Sequence, residues 1–232
     1  MADTIHIVFP LYRGMTHLDF TGPHQFFART PGLDVTVASV GGAPVGADGL
    51  VFSDLARLEA VEQCDVLCVP GGAGVTEAML DDVFMRNVRR LADGARYITS
   101  VCTGSLILGA AGLLQGKRAA CHWAWRDMLP LFGAIADDGR VVRDGNLITG
   151  GGVTAGIDFA LTVAAELTDP ITAQAVQLGL EYAPQPPFNA GRPDLAPPEV
   201  REVVAASYAR TMPQRREAIE QIARRGATTA SA

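Results

Sequence analysis

Short apolar runs rich in Val and Ile alternate along this chain with stretches whose apolar residues recur at helical spacing. Thr4 to Phe9 predicts a first strand, Asp34 to Val40 a second, Val66 to Val69 a third and Arg96 to Val101 a fourth. A helix is predicted from His24 to Ala28, with Pro23 near its first turn, where a missing N–H costs nothing. A longer helix from about Val75 to Ala92 carries Met79, Leu80, Val83, Met85 and Val88 on roughly one face. The next runs from about Thr103 to Ala111. Asp144-Gly145 then separates Arg140–Val142 from Asn146–Thr149, which reads as a hairpin. Gly150-Gly151-Gly152 ends it, and an apolar helix follows from about Thr154 to Leu167. A further helix begins after Pro170. Ala183 to Pro198 holds six prolines and reads as a long ordered loop. The last helix, from about Val200 to Arg225, carries six Arg against three Glu, most simply as a solvated face. Thr228 to Ala232 is expected to fray.

Strands that alternate with crossover helices imply a doubly wound, mostly parallel sheet with helices on both faces and a small hairpin insertion. The piece after Pro198 is too short to build its own core, so residues 1–232 are read as one α/β domain. In such sheets ligands bind beyond the carboxyl ends of the strands. That rule directs attention to the residues just after each strand.

Composition narrows the function classes. With 48% hydrophobic and 19% charged residues, the chain is neither disordered nor a coiled coil. A net charge of −6 argues against a general binder of nucleic-acid backbones, which needs a basic stripe. The apolar run at the N-terminus is too short for a signal peptide or membrane span, so a cytoplasmic protein is expected, with no membrane partner. Cys64, Cys68, Cys102 and Cys121 are then read as free thiols. No His or Cys spacing makes a tetrahedral zinc site, and neither metal nor organic cofactor is expected.

Three segments beyond strand ends carry the candidate chemistry. In Tyr97-Ile98-Thr99-Ser100-Val101-Cys102-Thr103-Gly104-Ser105 an apolar strand runs directly into a helix, with Cys102 at the corner and small residues on either side. A sharp strand–turn–helix corner lifts a nucleophile out, and the helix N-terminus favours its thiolate. A buried structural cysteine would leave the same local pattern. In Pro70-Gly71-Gly72-Ala73-Gly74 the glycines allow close backbone approach. The Gly72 N–H is a candidate oxyanion donor facing Cys102; a plain tight turn is the alternative. In Leu18-Asp19-Phe20-Thr21-Gly22-Pro23 the carboxyl of Asp19 is flanked by apolar residues. Shielding would raise its pKa and suit it to acid–base work, unless it simply caps the turn or the next helix. Cys64 and Cys68 read as buried fillers. Cys121 and His122, adjacent in a strand, are expected on opposite faces. His122-Trp123 reads as a loop anchor or a pocket wall. Val153 and Thr154 can reach the site if their helix starts near Cys102.

These segments together resemble the DJ-1/PfpI superfamily, and within it the bacterial isocyanide hydratases. The resemblance is carried by LDFTGP (Leu18–Pro23), VPGGAGV (Val69–Val75), TSVCTGSLILGAAGLLQGKRAACH (Thr99–His122) with Trp123, VVRDGNLITGGGVTAGIDF (Val141–Phe159) and LEYAPQPPFNAG (Leu180–Gly191). It implies a flavodoxin-like fold, a homodimer, and hydration of an isocyanide to a formamide without a cofactor. It further implies that Cys102 is the nucleophile, Asp19 the general acid and base, and Thr103 the neighbour whose hydroxyl contacts that acid. The backbone N–H groups of Gly72 and Thr103 would be the donors, with Gly71 and Val153 beside the substrate. Peptidase-like members carry His directly after the cysteine; Thr103 stands there, against proteolysis. The Cys102 string also resembles the amidase-like domains of AraC-type regulators, so a sensor domain is the alternative, as is glyoxalase or amidase chemistry on the same scaffold.

Overall fold

The chain builds one seven-stranded sheet, and the two ends of its strands have different jobs. The computed structural model describes residues 4–230, with side chains through residue 226. The strands and helices run in order: β1 (Ile5–Leu11), α1 (His17–Phe27), β2 (Leu33–Ser39), the small hairpin β3 (Val45–Ala47) and β4 (Leu50–Phe52), then β5 (Ala56–Arg57) and β6 (Val66–Val69). Next come α2 (Val75–Leu80), α3 (Asp82–Gly94), β7 (Tyr97–Val101), α4 (Gly104–Ala110), β8 (Arg118–Ala120) and β9 (Ile135–Asp137). The chain finishes with β10 (Val141–Asp144), β11 (Leu147–Gly150), α5 (Ala155–Leu167), α6 (Pro170–Gly179), α7 (Pro198–Ala209) and α8 (Met212–Ala230).

The order across the sheet is β10-β11-β7-β6-β1-β2-β5. Every neighbouring pair is parallel except β10 and β11, the predicted hairpin, which forms the antiparallel edge. β6 and β11 are buried at every position, which is why β6 reads as an unbroken apolar run and neither strand alternates. Helices α1 and α5 pack together on one face; α2, α3 and α4 cover the other. Right-handed crossovers require this division, because the chain leaves β1 in one direction and β6 in the other. The expected doubly wound α/β fold is the fold observed.

Three predicted helices differ. α1 begins at His17, ahead of the predicted His24, so Asp19 stands in its first turn and Pro23 lies inside the helix. The burial of Asp19, Phe20, Pro23, Phe26 and Phe27 follows helical spacing. Packing of that face outweighs the loss of one backbone bond at Pro23. Close approach to α5 depends on small residues: a Cβ at Gly156 would stand 3.2 Å from the Pro23 ring. The helix predicted from Val75 to Ala92 is broken in two at Asp81. Its carboxylate accepts the N–H groups of Val83 at 2.9 Å and Phe84 at 3.0 Å and so starts α3 afresh. The single helix predicted from Val200 to Arg225 is likewise two, with Pro213 in the first turn of α8, where proline is tolerated. α8 is also more than a solvated face. Ile219 is fully buried, Arg215 lies 5.3 Å over the Trp125 ring and Arg216 pairs with Asp127. Of the stretch expected to fray, Thr228–Ala230 continues α8, and Ser231 and Ala232 lie outside the described residues.

Candidate active site

The carboxyl ends of β1, β6, β7 and β11 converge, and Cys102 sits where they meet. β7 stops at Val101, and Cys102 takes φ 58°, a left-handed conformation unusual for a residue with a side chain. Its N–H donates to the carbonyls of Gly150 at 3.0 Å and Gly151 at 2.8 Å, which pins the corner to the end of β11. On the helix side, a Cβ at Gly104 would stand 2.2 Å from the Val69 carbonyl oxygen, so only glycine lets α4 start there. Underneath, the hydroxyls of Ser100 and Ser105 meet at 2.8 Å, and Ser105 donates to the Ala120 carbonyl at 2.6 Å. The predicted small flanks are therefore explained individually.

The helix N-terminus does favour the thiolate, through the Thr103 N–H, but at rest burial and neighbouring groups outweigh it. Burial pushes the Cys102 thiol well above its ordinary range, and the nearby Asp19 and Cys121 push it further. The Thr103 N–H acts in the opposite direction but does not prevail. Asp19 is fully buried, and burial raises its carboxyl from 3.8 to about 7. The Cys102 thiol and the Gly71 N–H both oppose that rise, and Asp48 adds to it. Oδ2 of Asp19 accepts the Gly71 N–H at 3.0 Å, whereas Oδ1 is buried without a partner of hydrogen-bond geometry. Two acids thus share a dry corner in which neither ionises easily.

Thr103 is close by, but among the described residues its hydroxyl makes no hydrogen bond to Asp19, where the family resemblance implied a contact. It accepts the Gly72 N–H at 2.8 Å and donates to the Gly72 carbonyl at 3.1 Å. This also corrects the role read for Gly72: its N–H is engaged by Thr103, while that of Gly71 holds Asp19. The backbone donor that bears on the Cys102 sulfur is the Thr103 N–H. Gly72 takes φ 145°, and a Cβ there would stand 2.3 Å from the Thr16 nitrogen. At Gly71 a Cβ would stand 2.4 Å from the Thr103 nitrogen and 2.8 Å from Oδ2 of Asp19. A Gly71→Ala substitution is expected to destabilise the protein by about 3 kcal/mol, lowering the melting temperature by roughly 6–12 °C in a thermal denaturation scan.

Tyr12 was not legible in the sequence as part of the site. It is buried at the end of β1, and its hydroxyl donates to the Pro70 carbonyl at 2.9 Å, steadying the turn that carries Gly71. Burial, and then the charges of Asp19 and Cys102, push its own pKa well up.

A cavity of about 460 Å³ lies beside this corner. Val153, expected near the substrate, lines it together with Gly151, Gly152, Cys121, His122 and Trp123. Cys102 and Asp19 do not line it; Cys102 is tied to its wall through the Gly151 carbonyl. Cys121 and His122 follow the end of β8 rather than lying within it, so both line the cavity instead of facing opposite sides. Burial lowers the His122 pKa, and Nδ1 accepts the Ala124 N–H at 3.3 Å, which leaves the neutral ring's proton on Nε2. From α7, Tyr208 reaches over this wall: its ring centroid is 5.7 Å from that of Trp123 and 6.3 Å from that of His122. A lone aromatic among mostly exposed positions of α7 was the one sequence signal that could have found it. Cys64 and Cys68 are buried, with thiols pushed up to about 12, as expected of fillers. Among the described residues no group of His, Cys, Asp and Glu could hold a metal ion.

A doubly wound α/β protein with a buried cysteine at a strained strand–helix corner and a carboxyl beside it is the class these observations define. The model of the DJ-1/PfpI family matches residues 5–166, and the chain belongs to that family. It is 50% identical to isonitrile hydratase of Pseudomonas putida over 94% of this chain and 96% of that one. The crystal structure of a THiJ/PfpI family protein from Pseudomonas syringae superposes with a TM-score of 0.89 at 42% identity, covering 96% of this chain and 91% of that one. An HTH-type transcriptional regulator of Pseudomonas aeruginosa is 30% identical, over 60% of this chain but only 42% of its own length. Among the described residues no helix is long and apolar enough to cross a membrane.

Proposed function

We propose that the protein adds water to an organic isocyanide, R–N≡C, to give the formamide R–NH–CHO, with Cys102 as nucleophile and Asp19 as general acid and base. The similarity to the isonitrile hydratase along nearly the whole of both chains supports the substrate class. The observation that carries the mechanism is the Asp19 carboxyl, raised to about 7 beside a buried thiol.

When the pair holds one proton, that proton sits either on sulfur or on the carboxyl. The form with a thiolate and a neutral Asp19 is the reactive one. The isocyanide carbon accepts the soft sulfur, forming the S–C bond, and Asp19 delivers its proton to the same carbon. The product is a thioimidate, R–N=CH–S–Cys102, beside an Asp19 carboxylate. Water then adds to that carbon while the carboxylate takes one of its protons. The other proton moves from oxygen to nitrogen, the C–S bond breaks, and the formamide leaves a thiolate and a neutral Asp19 as at the start. One acid serves both steps, in line with microscopic reversibility. The Thr103 N–H steadies charge on sulfur as the thiolate forms and as it departs. Gly71 holds Oδ2 of Asp19, which leaves Oδ1 as the oxygen that handles the proton. Burial of both groups keeps bulk water away from the thiolate and the acid.

Within this proposal residues 1–232 work as one domain, as a homodimer in the cytoplasm. The exposed Ile171 and Leu178 of α6 offer apolar surface for such an interface. The test is a steady-state assay of formamide release from a simple aryl isocyanide. Turnover by the folded wild-type protein is expected, together with a Cys102 adduct of the mass of the isocyanide on rapid acid quench. A folded protein that releases no formamide overturns the reading.

A further inference from the structure

Three arginines line the cavity, and among the described residues two of them are paired through their guanidinium groups. Arg140 pairs with Asp158 and donates to the Thr154 carbonyl at 3.0 Å. Arg192 pairs with Asp194 at 3.1 Å and Asp138 at 3.6 Å. Arg126 is different. Its backbone N–H bonds the His122 carbonyl, but among the described residues its guanidinium makes no hydrogen bond or ion pair. Its charge is felt nearby, where it acts to lower Cys121, Asp137 and Asp194, yet the direct bonds of the two carboxylates go to Arg118 and Arg192. The groups that bear directly on Cys102 are Asp19, Cys121 and the Thr103 N–H, and Arg126 is not among them.

Arg126 is half-buried and lines a cavity, and a guanidinium without a partner among the described residues is matched by a ligand carboxylate, whose two oxygens fit its forked N–H donors. The adjoining wall adds a second requirement. The rings of His122 and Trp123 lie 5.6 Å apart and tilted by 33°, and they give the cavity an aromatic wall against which a planar ring can pack. Burial keeps His122 neutral, so this surface brings no second charge.

We propose that the cavity is built for an isocyanide whose nitrogen carries a planar ring bearing a carboxylate, with the ring against Trp123 and His122 and the carboxylate on Arg126. The isocyanide end rests on the hydration reading above; the anion site rests on the cavity alone.

The experiment compares para-isocyanobenzoate with phenyl isocyanide as substrates, and para-formamidobenzoate with formanilide as ligands measured by calorimetry. Wild type, Arg126→Gln and Arg126→Lys are run in parallel. Wild type is expected to prefer the carboxylate compound of each pair by about tenfold or more, with the kinetic preference residing in KM. In Arg126→Gln the ratio falls toward unity, Arg126→Lys keeps part of it, and added salt reduces it in wild type. Ratios are compared, so a general loss of activity in a variant cancels. A wild-type ratio near one, or a ratio unchanged in Arg126→Gln, overturns the anion site while leaving hydration intact. Absence of turnover for both isocyanides would remove the hydration reading, and the ligand pair would still decide the anion site.

Discussion

Replacing Cys102 by alanine is expected to reduce formamide production by at least about a thousandfold, to the level left by binding and backbone donors alone. Fold and stability should change far less, because alanine tolerates the corner about as well as cysteine and fills most of the same buried space. Cys102→Ser is the stricter comparison. It keeps the shape, but its hydroxyl is a harder nucleophile with a higher pKa, and its activity should lie near that of Cys102→Ala. Turnover that survives in either variant, measured with the folded protein under saturating substrate, would mean that the nucleophile lies elsewhere. A second consequence is visible without substrate. Removing the thiol takes away the neighbour that lowers Asp19 most, so the carboxyl in Cys102→Ala should titrate above its wild-type value of about 7. Carboxyl infrared difference spectra recorded against pH would report it.

Asp19 should govern how stability depends on pH. Its folded-state pKa, about 7, lies above the ordinary 3.8 that it regains on unfolding. The folded state therefore binds the proton more tightly. Its contribution is fully present below about pH 3.8 and is lost as pH rises through about 7. Between pH 5 and pH 8 the wild type should lose about 2.5 kcal/mol of stability through this one group, roughly 5–10 °C of melting temperature. Asp19→Asn carries no such charge and should lack that part of the slope, becoming the more stable protein at pH 8. The same variant should lose about a hundredfold to ten-thousandfold in turnover, because an amide neither delivers nor accepts the proton. Gain of stability at alkaline pH with loss of catalysis is the paired signature. Denaturant titrations at the two pH values giving parallel behaviour for both proteins would contradict the raised carboxyl.

The sheet was readable because its central strands are buried on both faces, so β6, β7 and β11 stand out as short runs of apolar and small residues without charge. The corner at Cys102 was readable for a related reason: Ser100 and Gly104 are small because the backbone of β6 and the hydroxyl of Ser105 crowd them. What was misread depended on contacts distant in sequence. Pro23 looked like a helix start, but the helix begins earlier because Phe20, Phe26 and Phe27 pack into the core from it. Asp81 reads as an ordinary surface acid until its carboxylate is seen to cap α3. The partner of the Thr103 hydroxyl is decided by which carboxyl and which glycine the sheet brings near, and no spacing in the sequence records that it is Gly72. Tyr208 and Arg126 belong to the same category: one reaches the cavity wall from the C-terminal helices, and the other lines the cavity with a guanidinium that has no partner among the described residues.

The burial of Cys102 also determines how the idle protein survives its surroundings. Peroxides and anionic alkylating reagents attack thiolates, not thiols, and they must reach the sulfur. Here the sulfur keeps its proton at rest and belongs to a residue only 4% exposed, next to a carboxyl that repels anions once it ionises. Such a cysteine should resist hydrogen peroxide and iodoacetate for far longer than an ordinary surface thiol. It would still yield to small uncharged electrophiles that bring their own demand for the proton held between sulfur and Asp19. On the proposed mechanism, durability toward oxidants and preference for a neutral reacting group would then come from one cause, a thiol that stays unarmed until its substrate arrives.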